Sequence, residues 1–236
     1  VDKLKVKTGI QDINYIEITS GLKEGDEVIV FEPAYDCYVP AIEVHGGVVV
    51  PMQLSYPNFT INWEEVKKKV NAKTRMIIIN TPHNPSGTVL NESDLKEVLN
   101  EKALKEQVPV LGICLGMQLL FESSEEFGYT KGLGLIEGKV VKFDKSKMSS
   151  DLKIPHMGWN KTVNKDNPLF KNLQNPYLYF VHSYHVVTDD KYTIATTNYG
   201  YDFVSAVNKD NIFGFQPHPE KSHNNGLKIL ENFINL

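Results

Sequence analysis

The stretch Leu111-Gly112-Ile113-Cys114-Leu115-Gly116-Met117-Gln118 combines a short apolar run with a cysteine between two glycines. The apolar run predicts a buried strand, and the residues after the second glycine predict a helix start. A Gly-x-Cys-x-Gly spacing is typical of a sharp strand-to-helix turn, in which a Cβ atom at either glycine would clash with neighbouring backbone. The turn predicts a thiol at a sheet edge and a helix N-terminus, where a thiolate is favoured. A buried core cysteine is the alternative.

A second motif, Gln216-Pro217-His218-Pro219-Glu220-Lys221-Ser222, follows another apolar run. The two prolines predict an extended backbone around His218. In an extended segment His218 and Glu220 point the same way, so the carboxylate would orient the imidazole. A lone histidine is more often structural or exposed. The position of His218 after a strand favours a place at the same sheet edge as Cys114.

The pattern of predicted strands and helices changes near the middle of the chain. Apolar runs at 28–31, 48–50, 76–79 and 109–113 predict four strands separated by helices, one of them over 92–106. The later half predicts shorter strands at 133–143, 154–164, 177–188, 192–197, 203–207 and 211–216. A final helix begins near residue 222, with Leu227, Leu230 and Ile234 on one face. The predicted fold class is α/β, with a doubly wound, mostly parallel sheet and an added antiparallel β portion.

Composition restricts the class of protein. The chain has 236 residues, 41% of them hydrophobic, and a net charge of −4. No basic stripe predicts a nucleic-acid partner, and no apolar run reaches the roughly 18 residues of a membrane span. The two cysteines, Cys37 and Cys114, do not indicate a disulfide framework. A cytoplasmic location is therefore expected.

The two motifs together resemble those of class I glutamine amidotransferases. More narrowly, residues 99–236 resemble the glutaminase subunit of imidazole glycerol phosphate synthase, which acts in histidine biosynthesis. Three further strings carry this resemblance. They are Gly132-Leu133-Gly134-Leu135-Ile136-Glu137-Gly138, His156-Met157-Gly158-Trp159-Asn160 and Tyr179-Phe180-Val181-His182-Ser183-Tyr184.

The resemblance implies a flavodoxin-like fold and a catalytic triad of Cys114, His218 and Glu220. It implies that the Leu115 amide stabilises the oxyanion. It further implies glutamine as substrate, no metal or organic cofactor, and a (β/α)8 cyclase subunit that receives ammonia. The segment 156–160 would lie near that partner. The residues implied to hold glutamine are Leu115, Gln118, His182, Ser183 and Tyr184.

The first part of the chain resembles other families. Residues 26–98 resemble a fold-type I pyridoxal-phosphate aminotransferase through Gly25-Asp26-Glu27-Val28-Ile29-Val30-Phe31-Glu32-Pro33 and Asn80-Thr81-Pro82-His83-Asn84-Pro85-Ser86-Gly87. There Asn84 would touch the cofactor ring, but the Schiff-base lysine of that family is missing. Residues 3–30 resemble the β-rich end of an efflux periplasmic adaptor. These resemblances predict a mosaic of a β appendage (1–26), an aminotransferase-derived part (27–98) and an amidotransferase-derived part (99–236).

Two consequences for function follow from the mosaic. We expect strands 28–31, 48–52 and 76–80 to continue the sheet of the cysteine strand, so that loop 80–87 lies at the oxyanion site. That loop has no Pro-Gly-Val-Gly string, and we expect the second oxyanion donor to be missing or misplaced. A folded but inert mosaic is therefore one alternative. The amidotransferase subunit of a lipopolysaccharide sugar-amidating system is the other.

Overall fold

The computed structural model describes residues 23–36, 38–44, 46–80, 83, 85–90 and 109–236. Most of the predicted β appendage, Cys37, Asn84 and the predicted helix over 92–106 lie outside these ranges. In the described part of the chain, no helix has the length and apolar character needed to cross a membrane.

The first half forms a small parallel sheet. Its elements are β1 (Glu27–Glu32), α1 (Tyr38–Val44), β2 (Val48–Gln53), α2 (Trp63–Lys69) and β3 (Thr74–Ile78). The strand order is β2-β1-β3. The central strand β1 is buried on both faces, as its unbroken apolar sequence predicts.

The second half is mainly antiparallel. Its strands form a 10-stranded sheet in which β13 links β4 to β12. Three short 3-10 helices, Lys145–Lys147, Pro168–Phe170 and Pro219–Lys221, connect some of the elements. The elements are β4 (Val110–Ile113), α3 (Leu115–Leu119), β5 (Ser123–Ser124), β6 (Thr130–Lys131), β7 (Lys139–Lys142), β8 (His156–Asn164), β9 (Tyr177–His182), β10 (Tyr184–Val187), β11 (Thr193–Tyr199), β12 (Tyr201–Lys209), β13 (Ile212–Phe215) and α4 (His223–Ile234).

The predicted α/β class with an added antiparallel portion is confirmed, but the prediction of one continuous sheet is wrong. Within the described ranges β4 pairs with β13 alone, and β1, β2 and β3 form a separate sheet. The small sheet has apolar clusters of its own, one of them built around Ile29, Phe31 and Met52. Because these residues bury their apolar surface locally, the small sheet does not need the cysteine strand to complete its core.

Two apolar clusters support the second half. One includes Phe180, Phe215 and Ile229, and the other includes Met117 and Phe121. Helix α4 buries Gly226, Ile229 and Asn232. The predicted face of Leu227, Leu230 and Ile234 is only half-buried, so that prediction is wrong. The buried face lies one or two residues earlier in the helix.

Candidate active site

Cys114 occupies the turn between β4 and α3. Its backbone has φ 52° and ψ −107°, a conformation that costs energy in any residue with a Cβ atom. The Cys114 amide donates to the carbonyl oxygen of Phe215 at 2.7 Å, which joins the turn to β13. The side chain of Cys114 is half-buried, so the alternative of a fully buried core cysteine does not describe it.

The two glycines around Cys114 have different roles. A Cβ atom on Gly112 would lie 2.6 Å from the carbonyl oxygen of Gly116. A Cβ atom on Gly116 would meet nothing within 4 Å. The steric prediction therefore holds for Gly112 and is wrong for Gly116, because only Gly112 faces the turn that folds back over it.

His218 follows β13 and is held by its backbone. Its amide donates to the carbonyl oxygen of Tyr179 at 2.8 Å, and its carbonyl oxygen accepts from Ser222 Oγ at 2.6 Å. Ser222 Oγ in turn accepts from the Tyr179 amide at 2.8 Å. These bonds attach the segment to Tyr179 within β9 and orient the imidazole.

Glu220 contacts the imidazole through a turn. The Nδ1 atom of His218 lies 2.7 Å from Glu220 Oε1. His218 itself is extended (φ −99°, ψ 95°), but Glu220 lies in the 3-10 helix Pro219–Lys221. The predicted contact is present, whereas the extended geometry predicted for both residues is wrong. The second carboxylate oxygen, Oε2, is buried and has no hydrogen-bond partner within the described ranges.

The electrostatic environment favours a protonated His218. Burial alone lowers the pKa of His218, but hydrogen bonding with Cys114 and Glu220, together with their charges, outweighs burial and raises the pKa to about 9. The buried Nε2 atom nevertheless has no partner of full hydrogen-bond geometry in the described part of the chain. Cys114 therefore contributes to raising the pKa of His218, although no hydrogen bond of full geometry joins the two residues.

The structure adds Gln216, which the sequence interpretation did not assign. Gln216 is fully buried, and its Nε2 atom donates to Cys114 Sγ at 3.8 Å. Gln216 stands two residues before His218, in the segment that leaves β13. The position of Gln216 directly after β13, the strand that also leads to His218, is the signal for it in the sequence.

The residues implied to hold glutamine have different environments. Leu115 is 43% exposed beside the thiol. Gln118 is buried, and its Nε2 donates both to the Tyr184 carbonyl oxygen at 3.1 Å and to Gln216 Oε1 at 3.0 Å. Ser183 and Tyr184 are half-buried. Their role as substrate ligands stays a prediction.

The His182 ring has no free nitrogen. Its Nδ1 lies 2.7 Å from the Tyr184 carbonyl oxygen, and its Nε2 lies 3.0 Å from His156 Nδ1. A substrate contact from His182 would therefore come from its backbone.

The loop after β3 folds on itself. The Gly87 amide donates to the His83 carbonyl oxygen at 2.6 Å, and the His83 amide donates to Thr88 O at 2.7 Å. The Gly87 amide, which would be a candidate second oxyanion donor in this loop, is thus already bonded. Since β3 belongs to the small sheet, the predicted place of this loop beside Cys114 is not supported by strand pairing.

Comparison with known proteins gives a consistent match. A family model for glutamine amidotransferase class-I matches residues 34–236. The imidazole glycerol phosphate synthase subunit HisH of Sulfurimonas denitrificans is 63% identical over 146 residues, which cover 61% of this chain and 70% of that protein. The subunit HisH 2 of Methanococcus maripaludis is 51% identical over 169 residues, covering 70% of this chain and 82% of that protein.

Among solved structures, YbdL from Escherichia coli, a protein with a methionine aminotransferase function, is 34% identical with a TM-score of 0.40. The match covers 56% of this chain and 35% of that chain. This score is too low to carry an argument about fold or function.

Proposed function

Because this chain belongs to the class-I glutamine amidotransferase family, we propose that it is the glutaminase subunit of an imidazole glycerol phosphate synthase. The observation that carries the proposal is the arrangement of Cys114, His218 and Glu220, with the carboxylate 2.7 Å from the imidazole and the imidazole beside the thiol. The relatives named as synthase subunits support the narrower assignment.

In the proposed reaction Cys114, as the thiolate, attacks the side-chain amide carbon of glutamine. His218 carries a proton, since its pKa is raised to about 9, and gives that proton to the departing ammonia. The products of this half-reaction are a thioester on Cys114 and a neutral imidazole. His218 then takes a proton from water, which attacks the thioester and releases glutamate. Glu220 holds the imidazole in orientation throughout.

The oxyanion that forms in each half-reaction needs donors. We assign the Leu115 amide as the first donor, because it follows the nucleophile at the start of α3. Strand pairing does not place the loop after β3 beside Cys114, and the Gly87 amide is bonded within that loop, so we propose that the second donor is missing. We therefore propose that glutamine hydrolysis is slower than in an intact relative by roughly 10²–10³.

The proposed partner is a (β/α)8 cyclase subunit that consumes the ammonia. The outward side of β8 supports a docking role, because Met157 is 62% exposed and Trp159 is 50% exposed. Exposed large apolar side chains in a group are typical of protein interfaces. We further propose a cytoplasmic location, since a reactive thiol survives best in a reducing compartment.

The mosaic organisation also stays a proposal, with residues 27–98 derived from an aminotransferase, residues 99–236 from an amidotransferase, and residues 1–26 as a β appendage. The separate sheet of β1–β3 supports a boundary between the two larger parts. The match to the Sulfurimonas relative, which covers 61% of the chain, supports it as well.

Glutaminase assays with and without a cyclase subunit test the proposal. We expect the parent chain to release ammonia from glutamine, and Cys114→Ser to abolish this activity. Cys37→Ser is the matched control and should keep the parental rate and its sensitivity to alkylation. Parental activity in Cys114→Ser would overturn the nucleophile assignment. Complete inactivity of the parent with its partner would favour the inert mosaic.

A further inference from the structure

Two buried histidines lie next to the proposed active site, and the proposed chemistry uses neither ring. His156 begins β8 and is fully buried, and His182 ends β9 and is 6% exposed. They are direct partners in the β8–β9 pairing. The His156 ring is stacked between Phe180 and Tyr199, at centroid distances of 4.8 and 3.9 Å.

The contacts of the two rings form a continuous row. The Tyr184 carbonyl oxygen lies 2.7 Å from His182 Nδ1, and His182 Nε2 lies 3.0 Å from His156 Nδ1. The side-chain amide of Asn160 lies 2.8 Å from His156 Nε2, with Oδ1 facing the ring. Both ends of the row are therefore oxygens that only accept hydrogen bonds.

Three hydrogen bonds need three protons, whereas two neutral imidazoles carry two. The Tyr184 carbonyl can only accept, so His182 must hold its proton on Nδ1. Its bare Nε2 then accepts from His156 Nδ1, and His156 is left with a bare Nε2. The pair must therefore carry a positive charge, or Asn160 must turn its amide nitrogen toward His156.

Burial decides between these two states. In the described part of the chain no carboxylate contacts either ring, so a charge here would be uncompensated. The titratable groups that act on His182 are His156, His185 and His218, and each disfavours a further positive charge. Burial lowers the pKa of His156 and holds the pKa of His182 at about 3. A neutral pair is thus favoured.

Turning the Asn160 amide requires little else to change. Its two ends have the same size and shape, so a half-turn brings Nδ2 to His156. The bond given up, from Nδ2 to the Asn198 carbonyl oxygen, is 3.3 Å long. Asn160 is half-exposed, so water can solvate the displaced groups.

From the Tyr184 carbonyl oxygen, further hydrogen bonds lead to the Cys114 thiol. The Tyr184 carbonyl oxygen also accepts from Gln118 Nε2, which donates in addition to Gln216 Oε1. Gln216 Nε2 donates to Cys114 Sγ. The Tyr184 carbonyl oxygen thus accepts from both sides, from His182 and from Gln118, and these two donors together hold it in place.

We propose that Asn160, His156 and His182 form a neutral hydrogen-bond relay of fixed direction that ends on the Tyr184 carbonyl oxygen and, by holding that oxygen in place, positions Gln118, Gln216 and Cys114. The three residues are positioning residues, since they act on the thiol through other groups. The direction of the relay follows from the hydrogen bonds alone, whereas its effect on turnover rests on the proposed function.

Nitrogen-15 NMR of the parent chain at pH 7, without glutamine, tests the direction. We expect both rings to be neutral with the proton on Nδ1. A proton on Nε2 of His182, or a charged ring in either residue, would overturn the relay. A chain with the expected tautomers but no glutaminase activity would refute the proposed function and leave the relay standing.

The variant Asn160→Asp tests the coupling to the site. A carboxylate only accepts, so the pair must take up a proton, and the titration of its nitrogen-15 signals should move up by about 1–3 pH units. The parent pair is neutral in this pH range, so glutamine hydrolysis in the variant should show a new low-pH limb at the pH where the pair titrates. If the titration of the two rings and the pH profile of the variant both equal those of the parent, the proposal is overturned.

Two further variants complete the test. Asn224→Asp adds the same charge at an exposed position of α4, and in this variant His156 and His182 should titrate as in the parent. Asn160→Ser keeps a group that can donate, and should preserve the parental tautomers and pH profile if Asn160→Asp does not fold. Loss of the Nδ1 tautomers in Asn160→Ser, with the fold intact, would count against the relay.

Discussion

Cys114 has a backbone conformation that residues with a Cβ atom rarely adopt, and one neighbouring residue makes that conformation fit. Gly112 leaves room for the Gly116 carbonyl group, which would lie 2.6 Å from an added Cβ atom. The strained turn brings the thiol to the end of β13, where His218 follows. Strain of this kind is stored at functional sites and is maintained by the surrounding bonds.

Replacement of the two glycines should therefore have unequal effects. Gly112→Ala should shift the turn, destabilise the fold by about 1–3 kcal/mol and reduce glutamine hydrolysis strongly. Gly116→Ala, the matched control, should leave stability within about 0.5 kcal/mol, because its Cβ atom meets open space. Urea unfolding and a glutaminase assay measure both. Equal losses of stability in the two variants would contradict this account of the turn.

The carboxylate of Glu220 should affect the pH profile more than the reaction itself. Glu220 contributes to raising the pKa of His218 to about 9, so Glu220→Gln should lower that pKa. The protonated imidazole is then lost at lower pH, and the high-pH limb of kcat/KM should move down. Activity should fall less than in His218→Ala, because an imidazole remains in place. An unchanged high-pH limb, or a loss of activity as large as that in His218→Ala, would argue against these roles.

At the scale of elements, helix α4 packs through a face on which Ile229 is joined by a glycine and an asparagine. Gly226 is required there, because a Cβ atom would overlap the Pro219 carbonyl oxygen of the 3-10 helix that carries Glu220. Asn232 is buried as well, and its side chain donates to the carbonyl oxygens of Leu169 and Lys171, each at 2.9 Å. The helix thus supports the base indirectly, by seating the segment Pro219–Lys221.

Truncation of apolar residues on α4 tests this packing. Ile229→Ala should cost about 2–5 kcal/mol, since the side chain is fully buried in the larger cluster. Leu230→Ala is the matched control on the half-buried side and should cost clearly less. Thermal or urea unfolding of the two variants decides the matter. A larger loss in Leu230→Ala would restore the face that the sequence periodicity suggested.

At the scale of the whole molecule, two sheets have separate cores. The cluster around Ile29 and Phe31 and the cluster around Phe180 and Phe215 share no residue. Each part pairs its strands internally: β1 pairs with β2 and β3, and β4 pairs with β13. We expect the two parts to respond separately to damage.

Hydrogen exchange measures that independence. Ile29→Ala should weaken amide protection in β1–β3 while protection in β4 and β13 stays near the parental level. The rate of Cys114 alkylation should also stay within about twofold of the parental rate, because local opening follows local cooperative units. Phe215→Ala is the complementary variant, with the opposite pattern expected. Equal loss of protection in both sheets after Ile29→Ala would show one cooperative unit instead.

Much of the site was predictable because local chain chemistry carries it. The Gly-x-Cys-x-Gly turn, the strand before His218 and the contact of His218 with Glu220 involve residues close together in sequence. Steric exclusion at Gly112 acts over such a distance, and so does the contact between His218 and Glu220. The family and the glutaminase class are confirmed by the comparisons. The roles of the individual site residues stay predictions.

Most strands and turns are predictable from local patterns, since apolar runs and glycines act on neighbouring residues. The pairing of β4 with β13, the separate sheet of β1–β3, and the contacts of Gln118 with Gln216 and of His156 with His182 became visible in the folded chain. These features join residues that are distant in sequence. A hydrogen bond between residues far apart in the chain depends on which strands pair and on which core each strand completes, and a local pattern does not name the distant partner.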